Sequence, residues 1–328
     1  MSNKKTGARA RIRGGVAVAC AALLGGFAAP AASAQGDPGL GEATAQAIAA
    51  ADPIAAQVAA GKIVEDDVVT EAAGSSVAIP LDPAEPVKVA STTQQDRSVL
   101  TIASATGNDL GEGSLASDGT VVYLGSPAGI DQAVQALSDG SVRLEAVIKS
   151  ADAPNEIAYE VGSAFTLTPN ADGTVTVLED FGELALAAAV IDQPWAVDAN
   201  GSEIPTRYEV DGNLLVQVVE VESTTAYPVV ADPKITSTWW NTTIYFNRSE
   251  TKSAITVSGW TQAVGGVTPL PAVIKGVLVA AAATVNAVAR LAYDNGQCLK
   301  LVIYGWPPAV WTWAPHNATR SEAGGYCR

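Results

Sequence analysis

Histidine is nearly missing from this 328-residue chain: His316 is the only one, and it stands in a Pro- and Trp-bearing tail. A Ser-His-Asp triad would have to be built on that residue, and a zinc site wants four ligands drawn from Cys and His. Cysteine is scarce as well, with Cys20 near the start and Cys298 and Cys327 near the end. No Gly-rich loop is spaced to cradle phosphate, and no acidic loop has the spacing and fixed Gly of a calcium site. Basic residues are few and scattered, without the stripe that a nucleic-acid surface needs. These gaps argue against an enzyme, and they predict no catalytic residue, no cofactor, no metal and no nucleic-acid partner.

What the chain does have is segregated charge. Residues 1–34 carry five Lys/Arg and no acid, residues 35–233 carry six Lys/Arg against 31 Asp/Glu, and residues 234–328 carry eight against three. The balances of +5, −25 and +5 make up the net charge of −15. Tryptophan changes at the same boundary: Trp195 alone precedes residue 234, and the other six follow it. The chain therefore reads as a leader, an acidic body and a basic, Trp-rich end piece.

The leader has the form of an export signal. Lys4, Lys5, Arg9, Arg11 and Arg13 make a charged start, residues 16–29 a short apolar stretch, and Ala32-Ser33-Ala34 a small-x-small cleavage site before Gln35. The apolar stretch is shorter than the roughly 20 residues of a bilayer span. Cys20 lacks the apolar run that a lipidation site would need before it, and leaves with the leader. Secretion follows as the expected localisation, and in an oxidising compartment Cys298 and Cys327 are most simply one disulfide. A catalytic thiol or a metal pair is the alternative, and neither finds supporting residues nearby.

Residues 35–96 read as an Ala-rich helix, broken at Asp52-Pro53, followed by an acidic linker over 65–96. From residue 97 the apolar period becomes two: Val142, Leu144, Ala146 and Ile148 alternate with Arg143, Glu145, Val147 and Lys149. Asp118-Gly119, Asp139-Gly140, Asp172-Gly173 and Asp211-Gly212 punctuate short β-branched runs, as hairpin turns require. The pattern predicts an antiparallel sandwich or meander over 97–233, with one helix at 130–137. Thirty-one acids also invite a pair of facing catalytic carboxylates. Against that, Glu145, Glu160, Glu179 and Glu220 are expected in turns and on the solvent face of strands.

Trp195-Ala-Val-Asp-Ala-Asn-Gly201, then 205–214, then Tyr227-Pro228-Val229-Val230-Ala231-Asp232-Pro233 together resemble a β-rich stretch of uncharacterised exported actinobacterial proteins. In that class a Tyr-Pro-Val run of this kind closes the β-region and a variable C-terminal piece follows. The resemblance covers about residues 140–233, carries no activity and transfers no site residue. It implies a shared acidic body with exchangeable ends.

In residues 234–328 a strand is expected at 242–246, then a helix capped by Asn247 with Glu250 three residues on. A long apolar helix follows over 272–293, ended by Asn295-Gly296, and a strand at 298–304 returns to pair with 242–246. Lys275 and Arg290 bracket 14 residues broken only by Thr284 and Asn286. Such a helix fits either the core of a small α/β piece or a membrane, where basic ends snorkel and Trp rings favour the interface. Trp239, Trp240, Lys275, Arg290, Trp306, Trp311 and Trp313 are the candidate membrane or ligand contacts.

The whole reads as α+β, mainly β: a signal peptide (1–34), a helical and acidic linker segment (35–96), an acidic β domain (97–233) and a small α/β domain with a disulfide (234–328). The expected function is that of a secreted, non-catalytic surface, binding or antagonism factor. Its candidate partner is a cell surface or anionic membrane, met through the end piece. The alternative is a pore-forming or bacteriocin-like C-terminal module that the acidic region holds silent.

Overall fold

The computed structural model describes residues 38–52, 57–94, 97–105, 107–127, 129–181, 184–239, 241–266, 270–305, 310–316 and 327. The leader, its cleavage site, Trp240 and Trp306 lie outside them. Among the described residues, strand residues clearly outnumber helical ones, so the fold is mainly β.

The chain opens with helix α1 (Pro38–Ala51), then strands β1 (Lys62–Val64), β2 (Asp67–Ala72), β3 (Ser75–Pro80), β4 (Val87–Ser91) and β5 (Leu100–Ser104). Next come β6 (Ser114–Leu115), β7 (Val121–Tyr123), β8 (Ile130–Ala136), β9 (Val142–Ile148), β10 (Glu156–Val161), β11 (Phe165–Pro169), β12 (Val175–Asp180) and β13 (Leu184–Ile191). After these run β14 (Ala196–Val197), β15 (Thr206–Asp211), β16 (Leu214–Val219), β17 (Val229–Ala231), β18 (Lys234–Ser237) and β19 (Asn241–Phe246). Helices α2 (Arg248–Ser253), α3 (Val257–Gly266) and α4 (Ala272–Asp294) precede β20 (Cys298–Tyr304) and β21 (Val310–His316).

Two antiparallel sheets result. One has the order β1-β2-β3-β4-β5-β10-β16-β15, and the other runs β21-β20-β19-β13-β18-β9-β8-β7-β6, with β12 and β11 beside β13 and with β17 and β14 beside β9. Alternation decides which side chains meet between them. Val77 and Ile79 of β3, Ile157 and Tyr159 of β10 and Leu215 of β16 face Val142, Leu144 and Ile148 of β9 across one apolar core. The hairpin of β15 and β16 turns at Gly212, whose φ of +62° is a conformation that side-chain-bearing residues avoid.

Two expectations fail. The segment read as a linker forms β2, β3 and β4, because Val68, Val77, Ile79, Val87 and Val89 are all turned into the core. The helix expected over 130–137 is β8, a central strand between β7 and β9. Its Ala and Gln content suits a helix, but both of its faces are covered. Gln135 donates to Thr120 Oγ1 at 3.0 Å, which satisfies a polar group that the strand buries.

The α/β end piece has its own core, of Ile244, Phe246, Trp260, Ile274, Leu278, Val285, Leu299 and Leu301. The sheet nonetheless continues through the charge boundary. Ile235 of β18 pairs with Val142 of β9 and with Ile191 of β13, and Ile244 of β19 pairs with Leu186 of β13. The change of core falls between Trp239 and Ile244, and β13 spans it by pairing with β18 at one end and with β19 at the other. Cys298 and Cys327 are joined, with Cα atoms 5.5 Å apart, which ties the end of the chain to the start of β20.

Candidate contact surface

Helix α4 is built from Ala, Val, Leu and Ile with no acid before Asp294, and it follows Pro271. Ile274, Val277, Leu278, Ala281, Val285, Ala289 and Ala292 recur every three or four residues and are buried, so one stripe faces the sheet at β20 and β21. The two polar residues inside the apolar run serve this packing. Thr284 Oγ1 accepts the indole N–H of Trp313 at 3.1 Å, and Asn286 Nδ2 donates to the Ala254 carbonyl at 3.0 Å. At the far end the Arg248 guanidinium donates to the carbonyls of Tyr293 (3.1 Å) and Gln297 (2.7 Å), a cation at a helix C-terminus.

The other face of α4 looks outward and is also apolar. Val279 is 66% exposed, Leu291 57% and Val273 42%, and Gly276, Ala283 and Ala287 lie exposed on the same face. From Ala272 to Ala287 this face carries no charge, a length of about 22 Å at 1.5 Å per residue. Partly buried Lys275 and exposed Arg290 stand near its two ends. The helix is long and apolar enough to cross a membrane, and only 33% of its apolar window is buried.

The tryptophans take other places. Trp239 is 2% exposed in the body core, with the Arg97 guanidinium 5.2 Å from its ring centroid, so it is withdrawn from the surface. Trp311 and Trp313 on β21 are partly buried against the α4 core, and Trp313 meets Trp260 edge-on at 5.3 Å. Trp260 was not singled out in the sequence, although it is the largest fully buried side chain of the end piece. Its spacing from α4 gives no clue, because the contact crosses between two helices.

Among the acids, Glu160 and Glu220 are exposed as expected, but Glu145 and Glu179 are buried. Glu179 is paired with Arg97. Glu145 lies beneath α1 beside Arg143, whose Nη1 donates to Asp52 at 2.7 Å and whose Nε stands 4.0 Å from Asp232. Burial pushes the Glu145 carboxyl up to about 8 and the Asp232 carboxyl up to about 7, against the pull of Arg143. Asp232 is the acid of the Tyr-Pro-Val-Val-Ala-Asp-Pro run, and it accepts the backbone N–H of Trp195 at 3.3 Å. The two ends of that sequence resemblance thus meet, since Ala196 and Val197 of β14 pair with Ala231 and Val230 of β17.

An open cleft of about 340 Å³ lies among Asn170, Asp172, Gln193, Arg207 and Tyr208. Arg207 there is engaged by Glu209 at 2.8 Å and Glu220 at 2.5 Å, with all three side chains more than half exposed. Among the described residues no group of three or more His, Cys, Asp and Glu is placed to hold a metal ion.

No family model and no curated protein matches the chain. Among solved structures, a family GH92 inverting mannosidase from Bacteroides thetaiotaomicron aligns with a TM-score of 0.25 and 9% identity, over 55% of this chain and 28% of that one. The KRT10-binding region domain of the pneumococcal serine-rich repeat protein PsrP aligns with a TM-score of 0.14 and 12% identity, over 45% of this chain and 83% of that one. Likenesses at these scores carry no argument about fold or function.

Proposed function

We propose that this chain is an exported, non-catalytic contact protein, whose acidic β body presents the end piece to a surface or antagonism target through the outward face of α4. The single observation behind this reading is that α4 leaves an uncharged, largely apolar face exposed while its opposite face is packed. Soluble proteins rarely expose contiguous apolar area without a use for it. Export rests on the leader and on the resemblance to exported actinobacterial proteins.

A second reading is a membrane-active module held silent by the body, and the length and hydropathy of α4 favour it. Anionic lipid would add about 1 kcal/mol for each basic residue near its surface, here Lys275 and Arg290.

Co-sedimentation of mature chain 35–328 with intact actinobacterial cells and with anionic vesicles tests both. The Val279→Lys/Ala283→Lys variant serves as control, since both side chains point to solvent. Cell binding lost in the variant, without vesicle leakage, is the expected result. Leakage of vesicle dye supports the second reading, and binding to neither sinks both.

A further inference from the structure

Helix α1 lies over the outer face of the second sheet and buries little apolar surface of its own. Ala45 and Ile48 are its fully buried side chains, packed near Val122, Ala133 and Val147. Polar contacts do much of the fastening. Glu42 accepts the Ser117 backbone N–H at 2.9 Å and the Ser117 hydroxyl at 2.7 Å, and Thr44 donates to Asp131 at 3.3 Å. At the C-terminal end, Asp52 reaches under the helix to Arg143.

The Arg143 site holds more acid than base. Arg143 and Glu145 project from β9 toward α1, Asp52 comes from the end of α1, and Asp232 comes from the connection between β17 and β18. These four side chains are at most 6% exposed. Asp118 from the β6–β7 turn faces the group from one side, and Asp192 faces Asp232 with Lys234 beyond it. Tyr159 of β10 and Tyr208 of β15, on the core side of the second sheet, feel the Asp232 charge and are themselves held neutral by burial. Both carboxyl oxygens of Glu145 are buried without a hydrogen-bond partner, and so is Arg143 Nε. Fully ionised, three carboxylates would surround one guanidinium.

We infer that Asp52, Arg143, Glu145 and Asp232 form a proton-dependent clasp on α1. While Glu145 and Asp232 are protonated, one carboxylate faces one guanidinium and α1 is held. When both ionise, two further negative charges stand against Asp52, and α1 loosens from its C-terminal end.

The direction of the effect follows from linkage. Glu145 moves from an ordinary value of 4.5 to about 8 on burial, so the closed form binds protons that the opened form has released. Its contribution is present in full below the ordinary value and is lost as pH rises through the folded one. The carboxylates whose values are lowered, such as Glu42 and Asp139, act at the acid end and leave this window alone.

Hydrogen exchange on mature chain 35–328 at pH 6 and pH 9, expressed as protection factors, reads the clasp directly. In the native chain, protection of the α1 amides should fall at least tenfold between the two, while amides of β8 and β9 hold theirs. Glu145→Gln keeps the neutral shape and should remove most of that fall. Asp52→Asn should leave α1 weakly protected at both. Unchanged α1 protection in the native chain, or an equal fall in Glu145→Gln, overturns the clasp. Infrared spectroscopy of the native chain needs no variant: a protonated buried carboxyl band at pH 6 that disappears by pH 9 is expected, and its absence at pH 6 refutes the proposal.

Discussion

Neighbouring residues on α4 offer a sharp test of how that helix is oriented. Leu278 is fully buried, among Ile244, Phe246, Ile274 and Leu301, and its carbonyl accepts the Trp260 indole N–H at 3.1 Å. Val279, one position on, is 66% exposed. Leu278→Ala removes buried methyl groups and leaves a cavity between helix and sheet, a change that costs about 2–5 kcal/mol. Val279→Ala removes little buried surface and exchanges a β-branched residue for the best helix former, a gain of a few tenths of a kcal/mol at an exposed site. The two variants should therefore differ by about 3 kcal/mol, and with urea slopes of roughly 1–3 kcal/mol/M their midpoints should lie about 1 M or more apart. Urea denaturation followed by tryptophan fluorescence measures this. Trp260 and Trp313 flank the cavity, so the reporter sits at the perturbation. Equal midpoints for the two variants would show that α4 does not present these faces, and the contact surface argued from them would fall as well.

The ion pair of Arg97 and Glu179, with side chains 0% and 2% exposed, should behave as a unit. Removing one partner by Arg97→Met or Glu179→Leu strands the other as a buried unpaired charge and should cost about 3–5 kcal/mol, while the double variant Arg97→Met/Glu179→Leu should cost far less than the two together. Additive costs in a double-mutant cycle would sink that account. Reduction of Cys298–Cys327 reopens a link spanning 29 positions and should lower stability by about 3–4 kcal/mol by loop-closure entropy. The measurement is the urea midpoint with and without reductant in the native chain, and coincident curves would contradict it.

Most of the end piece was legible because its signals are local. The Asn247 side chain accepts from Glu250 N–H and the Glu250 side chain accepts from Asn247 N–H, so a capping box written in four residues needs no partner elsewhere. The same holds for the long apolar helix, for its end at Asn295-Gly296 and for the strand returning beside β19. The first sheet was less legible. Residues 65–96 carry acids and prolines at their turns, and these mask strands whose inward residues are single valines and isoleucines spaced two apart. A strand of that kind declares itself only when its neighbour is known.

The buried acids mark where local reading runs out. On β9 the residues alternate as a half-solvated strand would, with Arg143, Glu145 and Val147 on the polar side, and solvent was the natural assignment for that side. What covers it is α1, which sits 91 residues away in sequence at the Asp52–Arg143 contact. Asp232 is likewise an unremarkable acid before a proline until β17 pairs with β14 and brings it under Trp195. Charge at these positions therefore cannot be weighed by counting acids along the chain, because burial changes both its sign of effect and its protonation. An Asp or Glu on an exposed strand face adds solubility and little else, whereas Glu145 in its place links helix attachment to proton concentration. The same reasoning separates the two faces of α4, whose composition is uniform and whose roles are assigned only by the sheet on one side of it.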